Sequence, residues 1–404
     1  MARAMKDSGI PWMPVIPSDW NVEKGKNILT LQKRPVREND EVVTCFRDGE
    51  VVLRSERRTE GFTMSDKEIG YQGINKGDIV IHGMDGFAGS MGVSKSTGKG
   101  SPVLVVCTPK YDAVPQYIIY YLRVLAQMNV FVALATGIRE RSCDLRWNKI
   151  ADLKFIMPSV DEQQRIAEFL DRKCEEIDEL IGLQGDFIEE LKAYKQSLIT
   201  ETVTRGLNHN AKLKPSGIDW IGDIPETWEI RAIKTLANLK SGTNITTNDI
   251  KDDGEGFPVY GGNGFRGYYS EFSNDGEFAL IGRQGALCGN INYGYGKFWA
   301  TDHCVVCYPR EKYVLKWFGE TLRSMNLNQY SLSSAQPGLS VERIKDKLMP
   351  VPPLLEQQQI ADYLDSKCSE IDSLIAIKQQ KIEELKDYKK SIIYEYVTGK
   401  REIK

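Results

Sequence analysis

The residues of this chain best suited to molecular recognition stand in two glycine-bracketed loops, Gly83-Met84-Asp85-Gly86 and Gly282-Arg283-Gln284-Gly285. Each loop follows a short apolar run. Arginine can read guanine, glutamine can read adenine, and aspartate can accept a hydrogen bond from cytosine. Met84, Asp85, Arg283 and Gln284 are therefore candidates for contact with base edges, not for bond breaking. Two later polar loops add Arg139, Arg141 and Gln336, and the stretch PVYGGNGFRGYY adds Asn263 and Arg266. Against this stands the plainer reading that each loop is an ordinary solvated turn.

Catalytic alternatives fail on spacing. Gly262, Gly264 and Gly267 fit a GxGxxG pattern, but a dinucleotide site needs a helix after the last glycine. Strand and turn residues follow here, so a glycine hairpin is expected. Gly98-Lys99 lacks both the upstream glycine and the following Ser or Thr of a phosphate loop. Cys304 and Cys307 beside His303 form a lone pair, and an alternating strand predicts them as core. No methyl-transfer motif and no ATPase pair is visible. The expectation is a non-catalytic chain that binds no cofactor of its own and no metal.

The elements that must carry these loops are set by an internal repeat. Residues 161–204 recur as 355–398, so that Glu162, Cys174, Tyr194 and Thr204 map without a gap onto Glu356, Cys368, Tyr388 and Thr398. Each copy predicts one long helix. Leu170, Ile177, Leu191 and Leu198 keep a seven-residue register, with Cys174, Ile181 and Ile188 between. The second copy offers Leu364, Ile371, Leu385 and Ile392, with Cys368, Ile375 and Ile382. Such a seam is that of a coiled coil, polar at Gln184 and Lys378. The globular parts repeat more loosely. SGIPW near residue 8 matches SGIDW near residue 216, and Trp20 matches Trp228. Strands and helices interleave in both parts, so each is α/β or α+β. The predicted segments are 1–157 (first module), 158–207 (first helix), 208–351 (linker and second module) and 352–404 (second helix and tail). Near-identical helices beside diverged modules suggest one shared task for the helices and two different ones for the modules. Paired antiparallel helices would bring the end of the second helix near the start of the first module.

A net charge of −3 excludes a strongly basic chain, but the first module carries +4 and the first helix segment −6. Positive charge on a module can serve DNA while the helices face protein. Eight cysteines scattered singly suit reduced thiols and a cytoplasmic setting. No apolar run is long enough to span a bilayer, so no membrane partner is expected.

The module openings, the motif Pro-x-x-x-Glu-Gln-Gln-x-Ile-Ala at 158–167 and 352–361, and PVYGGNGFRGYY resemble the specificity subunit of type I restriction–modification enzymes. The first module offers no clear counterpart of PVYGGNGFRGYY. The resemblance implies two target recognition domains separated by an antiparallel two-helix coiled coil with a pseudo-twofold internal repeat. It also implies that each domain reads one half of a bipartite, asymmetric double-stranded DNA sequence. The helices would dock two modification (methyltransferase) subunits, with Gln163, Gln164, Tyr194, Gln357, Gln358 and Tyr388 as docking candidates. Those subunits would bring S-adenosylmethionine and methylate adenine, and restriction subunits would bring the ATP- and Mg2+-dependent motor and nuclease. The rival expectation is a coiled-coil scaffold whose modules bind proteins.

Overall fold

The computed structural model describes residues 3–57, 69–134, 145–285, 287–331 and 338–403. They fall into two compact units. Unit 1 combines Met1–Gln184 with Lys381–Lys404, and unit 2 is Gly185–Gln380. The division does not follow the module-then-helix order of the chain, because each unit takes one module and parts of both long helices.

In unit 1, strands β1 (Leu29–Leu31), β2 (Val43–Cys45), β3 (Val51–Leu53), β4 (Gln72–Ile74), β5 (Ile79–His82), β6 (Met91–Val93), β7 (Gly98–Gly100) and β8 (Leu104–Pro109) precede helix α1 (Pro115–Gln127). The main sheet has the order β1-β8-β5-β6 and is antiparallel. β8 is central, and its run Leu104–Cys107 is buried throughout, as a strand covered on both faces requires. Pro115 opens α1, where its missing N–H costs nothing and its fixed φ suits a helix. Tyr117, Tyr121, Leu122 and Leu125 of α1 lie in the core with Phe155 and Trp20.

The long helix α2 (Val160–Arg205) follows. In unit 2, β9 (Ala237–Ser241), β10 (Phe257–Gly261), β11 (Gly264–Tyr269), β12 (Asn274–Gly282), β13 (Ile291–Ala300) and β14 (Cys304–Pro309) form one sheet of order β9-β14-β12-β13-β10-β11. Helix α3 (Leu315–Ser324) packs on it, and the chain ends in the second long helix, α4 (Leu354–Val397). Cys304 and Cys307 are fully buried in β14. Burial pushes the Cys304 thiol up to about 12, as a thiol packed in a sheet core requires.

The two modules share one register over β4–β8 and β12–β14. Ile81 pairs with Val105 and Ile281 with Val305, and Ile74 pairs with Gly98 as Asn274 does with Phe298. β12 is thus the uninterrupted form of β4 and β5, and β13 that of β7 and β6. The hairpin β2–β3 touches this surface in parallel through Val42–Lys99, as β10 does through Val259–Trp299. The first module therefore does hold a counterpart of PVYGGNGFRGYY, at 43–53. Only its length and composition hid it from the sequence.

Within each unit the long helices run antiparallel. In unit 1, the Phe169 and Tyr396 rings pack at a tilt, 4.5 Å between centroids, and Asp178 pairs with Lys389 at 2.6 Å. In unit 2, Asp372 pairs with Lys195 at 2.6 Å. These are the same ion pair under the helix repeat. Leu170, Cys174 and Ile177 are buried with Ile392, Ile393 and Val397 in one unit; Leu364 and Cys368 are buried with Ile199 and Val203 in the other. Near the C-terminal end of α2 the buried face shifts from the heptad position Leu198, which is half-buried, to Ile199 and Val203; in α4 Leu385 is half-buried, while the heptad position Ile392 stays buried beside Ile393 and Val397.

The repeated Glu-Gln-Gln motif explains how each module sits on its helix. Trp20 Nε1 donates to Glu162 at 2.9 Å, and Trp228 Nε1 donates to Glu356 at 2.8 Å. Gln163 accepts from the Val114 N–H at 3.0 Å and donates to the Pro158 carbonyl at 2.9 Å. Gln357 does the same with Val314 at 3.0 Å and Pro352 at 2.9 Å. With exposures of 2% and 4%, these two side chains are spent inside the molecule. The expectation that Gln163 and Gln357 face a partner is corrected. Gln164 and Gln358 are exposed, and among the described residues their side chains bond along their own helices, to Glu168 and Asp362.

Candidate nucleic-acid interface

In unit 2 the connections at one end of the sheet converge. Gly262 and Asn263 make a two-residue turn between β10 and β11, so the GxGxxG stretch is a hairpin, as its sequence predicts. A Cβ at Gly262 would stand 3.0 Å from the His303 carbonyl and 3.1 Å from that of Gln284. A Cβ at Gly282 would be 2.1 Å from the Gly262 carbonyl. Glycine is needed at both because three connections approach backbone to backbone. Arg283 donates its N–H to His303 O at 2.8 Å and accepts from Leu339 N–H at 2.8 Å, and its guanidinium reaches Ser241 Oγ at 3.3 Å. Gln284 is exposed and makes no side-chain hydrogen bond among the described residues. Asn263 and Arg266 are exposed on the neighbouring hairpin, likewise without polar partners among the described residues. The structure thus brings Asn263, Arg283 and Gln284 to one edge, with Arg266 two residues into β11.

In unit 1 the same end of the sheet is built on the same frame. Gly83 N–H donates to Val103 O at 2.9 Å and Gly83 O accepts from Leu145 N–H at 2.9 Å. Gly83 is therefore the equivalent of Arg283, and Met84 of Gln284. Matching the two loops glycine to glycine, Gly83 with Gly282, is therefore off by one residue. The shared Val-Val-Cys at 105–107 and 305–307 would have fixed the register. Met84 is 54% exposed. Asp85 is tied to Arg47 of the β2–β3 turn at 3.2 Å. Its backbone N–H donates to His82 Nδ1 at 3.0 Å, and burial holds the His82 pKa below the usual imidazole value. A neutral imidazole with an unprotonated Nδ1 is what that bond needs.

Met84 lines a cleft of about 870 Å³ shared with Lys33, Arg34, Tyr71, Arg146 and Trp147. Sequence reasoning missed these residues because they come from three separate segments, none of them next to Met84 in the chain. Arg34 is held in a bidentate pair by the buried Asp78. Arg139, Arg141 and Gln336 lie outside the described residues. Tyr194 and Tyr388 are 58% and 53% exposed on the helices. Leu180, Leu183, Leu374 and Ile377 are exposed there as well, at positions matched by the repeat. No group of described residues has the composition of a metal site, and no helix of described residues is long and apolar enough to cross a membrane.

The profile described as the type I restriction modification DNA specificity domain matches residues 225–387. The specificity subunit of the type I restriction enzyme EcoprrI from Escherichia coli is 38% identical over 154 residues, 37% of this chain and 38% of that relative's length. The MjaVIII specificity subunit of Methanocaldococcus jannaschii is 24% identical over 422 aligned positions, covering 96% of this chain and 94% of its own. A chain from a structure of the type I R-M system, concerned with complex assembly and conformational transition, superposes with a TM-score of 0.73 at 16% identity, covering 95% of this chain and 99% of that one. The profile match places the likeness to a DNA specificity domain in the second module and most of the second long helix. The chain is thus similar in sequence to specificity subunits of type I restriction enzymes, and it shares the fold of the solved chain.

Proposed function

We propose that each module reads one half of a bipartite, asymmetric DNA target, and that the chain supplies no catalytic group. The paired helices dock two modification subunits, which carry S-adenosylmethionine and methylate adenine. Restriction subunits, with ATP and Mg2+, join that assembly. The observation that carries this reading is the common loop frame at Gly83 and Arg283, on which the two modules mount different side chains. A constant frame with variable side chains is how one scaffold reads two sequences. Tyr194, Tyr388, Gln164 and Gln358, exposed at repeat-matched positions on the helices, support docking of two copies of one partner.

The test is methylation mapping of cells with and without this gene, combined with DNA binding by the full chain at several salt concentrations. The expected result is one gapped motif that depends on the gene, and sequence-selective binding that weakens with salt as phosphate contacts release counterions. Exchange of residues 208–351 for those of a relative should alter one half of the motif. Methyl transfer or cleavage by the purified chain alone would overturn the non-catalytic reading. Absence of sequence-selective binding would leave the scaffold reading standing.

A further inference from the structure

The equivalence of Met84 and Gln284 assigns more than a surface. Both residues directly follow the position whose N–H and C=O are clamped, by Val103 and Leu145 in one module and by His303 and Leu339 in the other. Both are exposed beyond the sheet end. Their chemistries differ in kind. A thioether side chain offers contact area and negligible hydrogen bonding, and the apolar feature of a major-groove base edge is the 5-methyl of thymine. A carboxamide offers a donor beside an acceptor, the complement of adenine N7 and N6. The cleft beside Met84 has Lys33 and Arg146 on it, cationic groups suited to phosphates flanking a base. In unit 2, Asn263 stands by Gln284 across the hairpin turn.

We propose that Met84 and Gln284 are equivalent specificity-determining residues. Met84 recognises a thymine methyl in the half-site of the first module, and Gln284 the major-groove edge of an adenine in the half-site of the second. This rests on the reading of the modules as DNA-binding. Its failure is separable from failure of that reading, because the probes below alter single atoms of a duplex whose overall recognition is measured in parallel.

The experiment uses the full chain assembled with its methyltransferase partner, and duplexes carrying the motif found by methylation mapping. Each thymine of the first half-site is replaced in turn by uracil, which removes only the methyl group. One position should lose roughly fourfold in affinity, the factor set by about 0.8 kcal/mol per buried methylene-sized group. Met84→Ala should bind the thymine and uracil duplexes alike, Met84→Leu should keep the preference, and neither should alter the second half-site. In the second half-site, 7-deazaadenine removes N7. One position should lose about 5- to 150-fold, and Gln284→Ala should abolish that difference. If selective binding persists while every thymine-to-uracil change is neutral, or if the first half-site contains no thymine on either strand, the assignment of Met84 is wrong and the DNA-reading function stands. If Gln284→Ala leaves the sensitivity to 7-deazaadenine unchanged, the assignment of Gln284 is wrong. If no duplex is bound selectively, both the assignment and the reading beneath it fall.

Discussion

Substitution of Gln163 by methionine tests whether the Glu-Gln-Gln motif is an internal latch. The side chain is 2% exposed and makes two hydrogen bonds, from Val114 N–H at 3.0 Å and to Pro158 O at 2.9 Å. Methionine nearly preserves its volume and shape, so packing changes little. Both backbone groups then lose their partner in a buried site. An orphaned buried polar group costs about 1–3 kcal/mol, less what the apolar replacement returns, so the net loss is roughly 2–4 kcal/mol. For a folding unit of roughly 200 residues that corresponds to a fall in Tm of about 4–16 °C. Thermal unfolding followed by circular dichroism reads this directly, with Gln164→Met, on the exposed side of the same turn, as control. Gln357→Met should repeat the loss through Val314 and Pro352. A Gln163→Met protein as stable as the Gln164→Met control would refute the latch and return Gln163 to the partner-facing role its sequence suggests.

Three further outcomes follow from the same geometry. A circular permutant with Lys404 joined to Met1 and new ends opened within 208–214 should fold and keep its methylation motif. The reason is that Gly399 lies against Pro17 and Trp20, so both ends belong to unit 1; a permutant that folds only with a long added linker would contradict this, as size-exclusion and methylation mapping would show. Asp178→Lys should cost about 0.2–1 kcal/mol and be rescued by Lys389→Asp, since an exposed ion pair contributes little but reads orientation; a denaturation double-mutant cycle without coupling would count against the antiparallel pairing. Tyr194→Lys and Tyr388→Lys should leave Tm unchanged and each reduce the stoichiometry of a co-purified modification subunit by about one copy; full retention of both copies would move the docking surface off these side chains.

The repeat made the helices legible, because identical spacing over 44 positions leaves little freedom in register. Strand positions in the modules were legible where apolar runs are continuous, as at Val105–Cys107 and Val305–Cys307. What escaped was anything decided by contact between distant segments. Gln163 looks like a surface glutamine until Val114 is placed beside it. The β2–β3 hairpin was hidden because only its pairing geometry, not its composition, matches β10–β11. The one-residue error at Met84 has a similar origin: glycines were aligned with glycines, whereas the backbone clamp aligns Gly83 with Arg283. Gln284 is exposed as a loop residue of its composition should be, whereas Asp85 is paired with Arg47, which its sequence neighbours do not announce.

The composition of unit 1 has a consequence for biosynthesis. Unit 2 is one continuous stretch, complete once residue 380 has left the ribosome, but unit 1 needs Lys381–Lys404. Until those last residues emerge, Leu170, Cys174 and Ile177 face water without Ile392, Ile393 and Val397 to cover them. The module made first is thus finished last. A nascent chain interrupted anywhere in α4 keeps an open apolar flank on its opening module, a mark that quality control can recognise. A chain cut short within α4 therefore leaves Leu170, Cys174 and Ile177 of unit 1 without the residues that cover them.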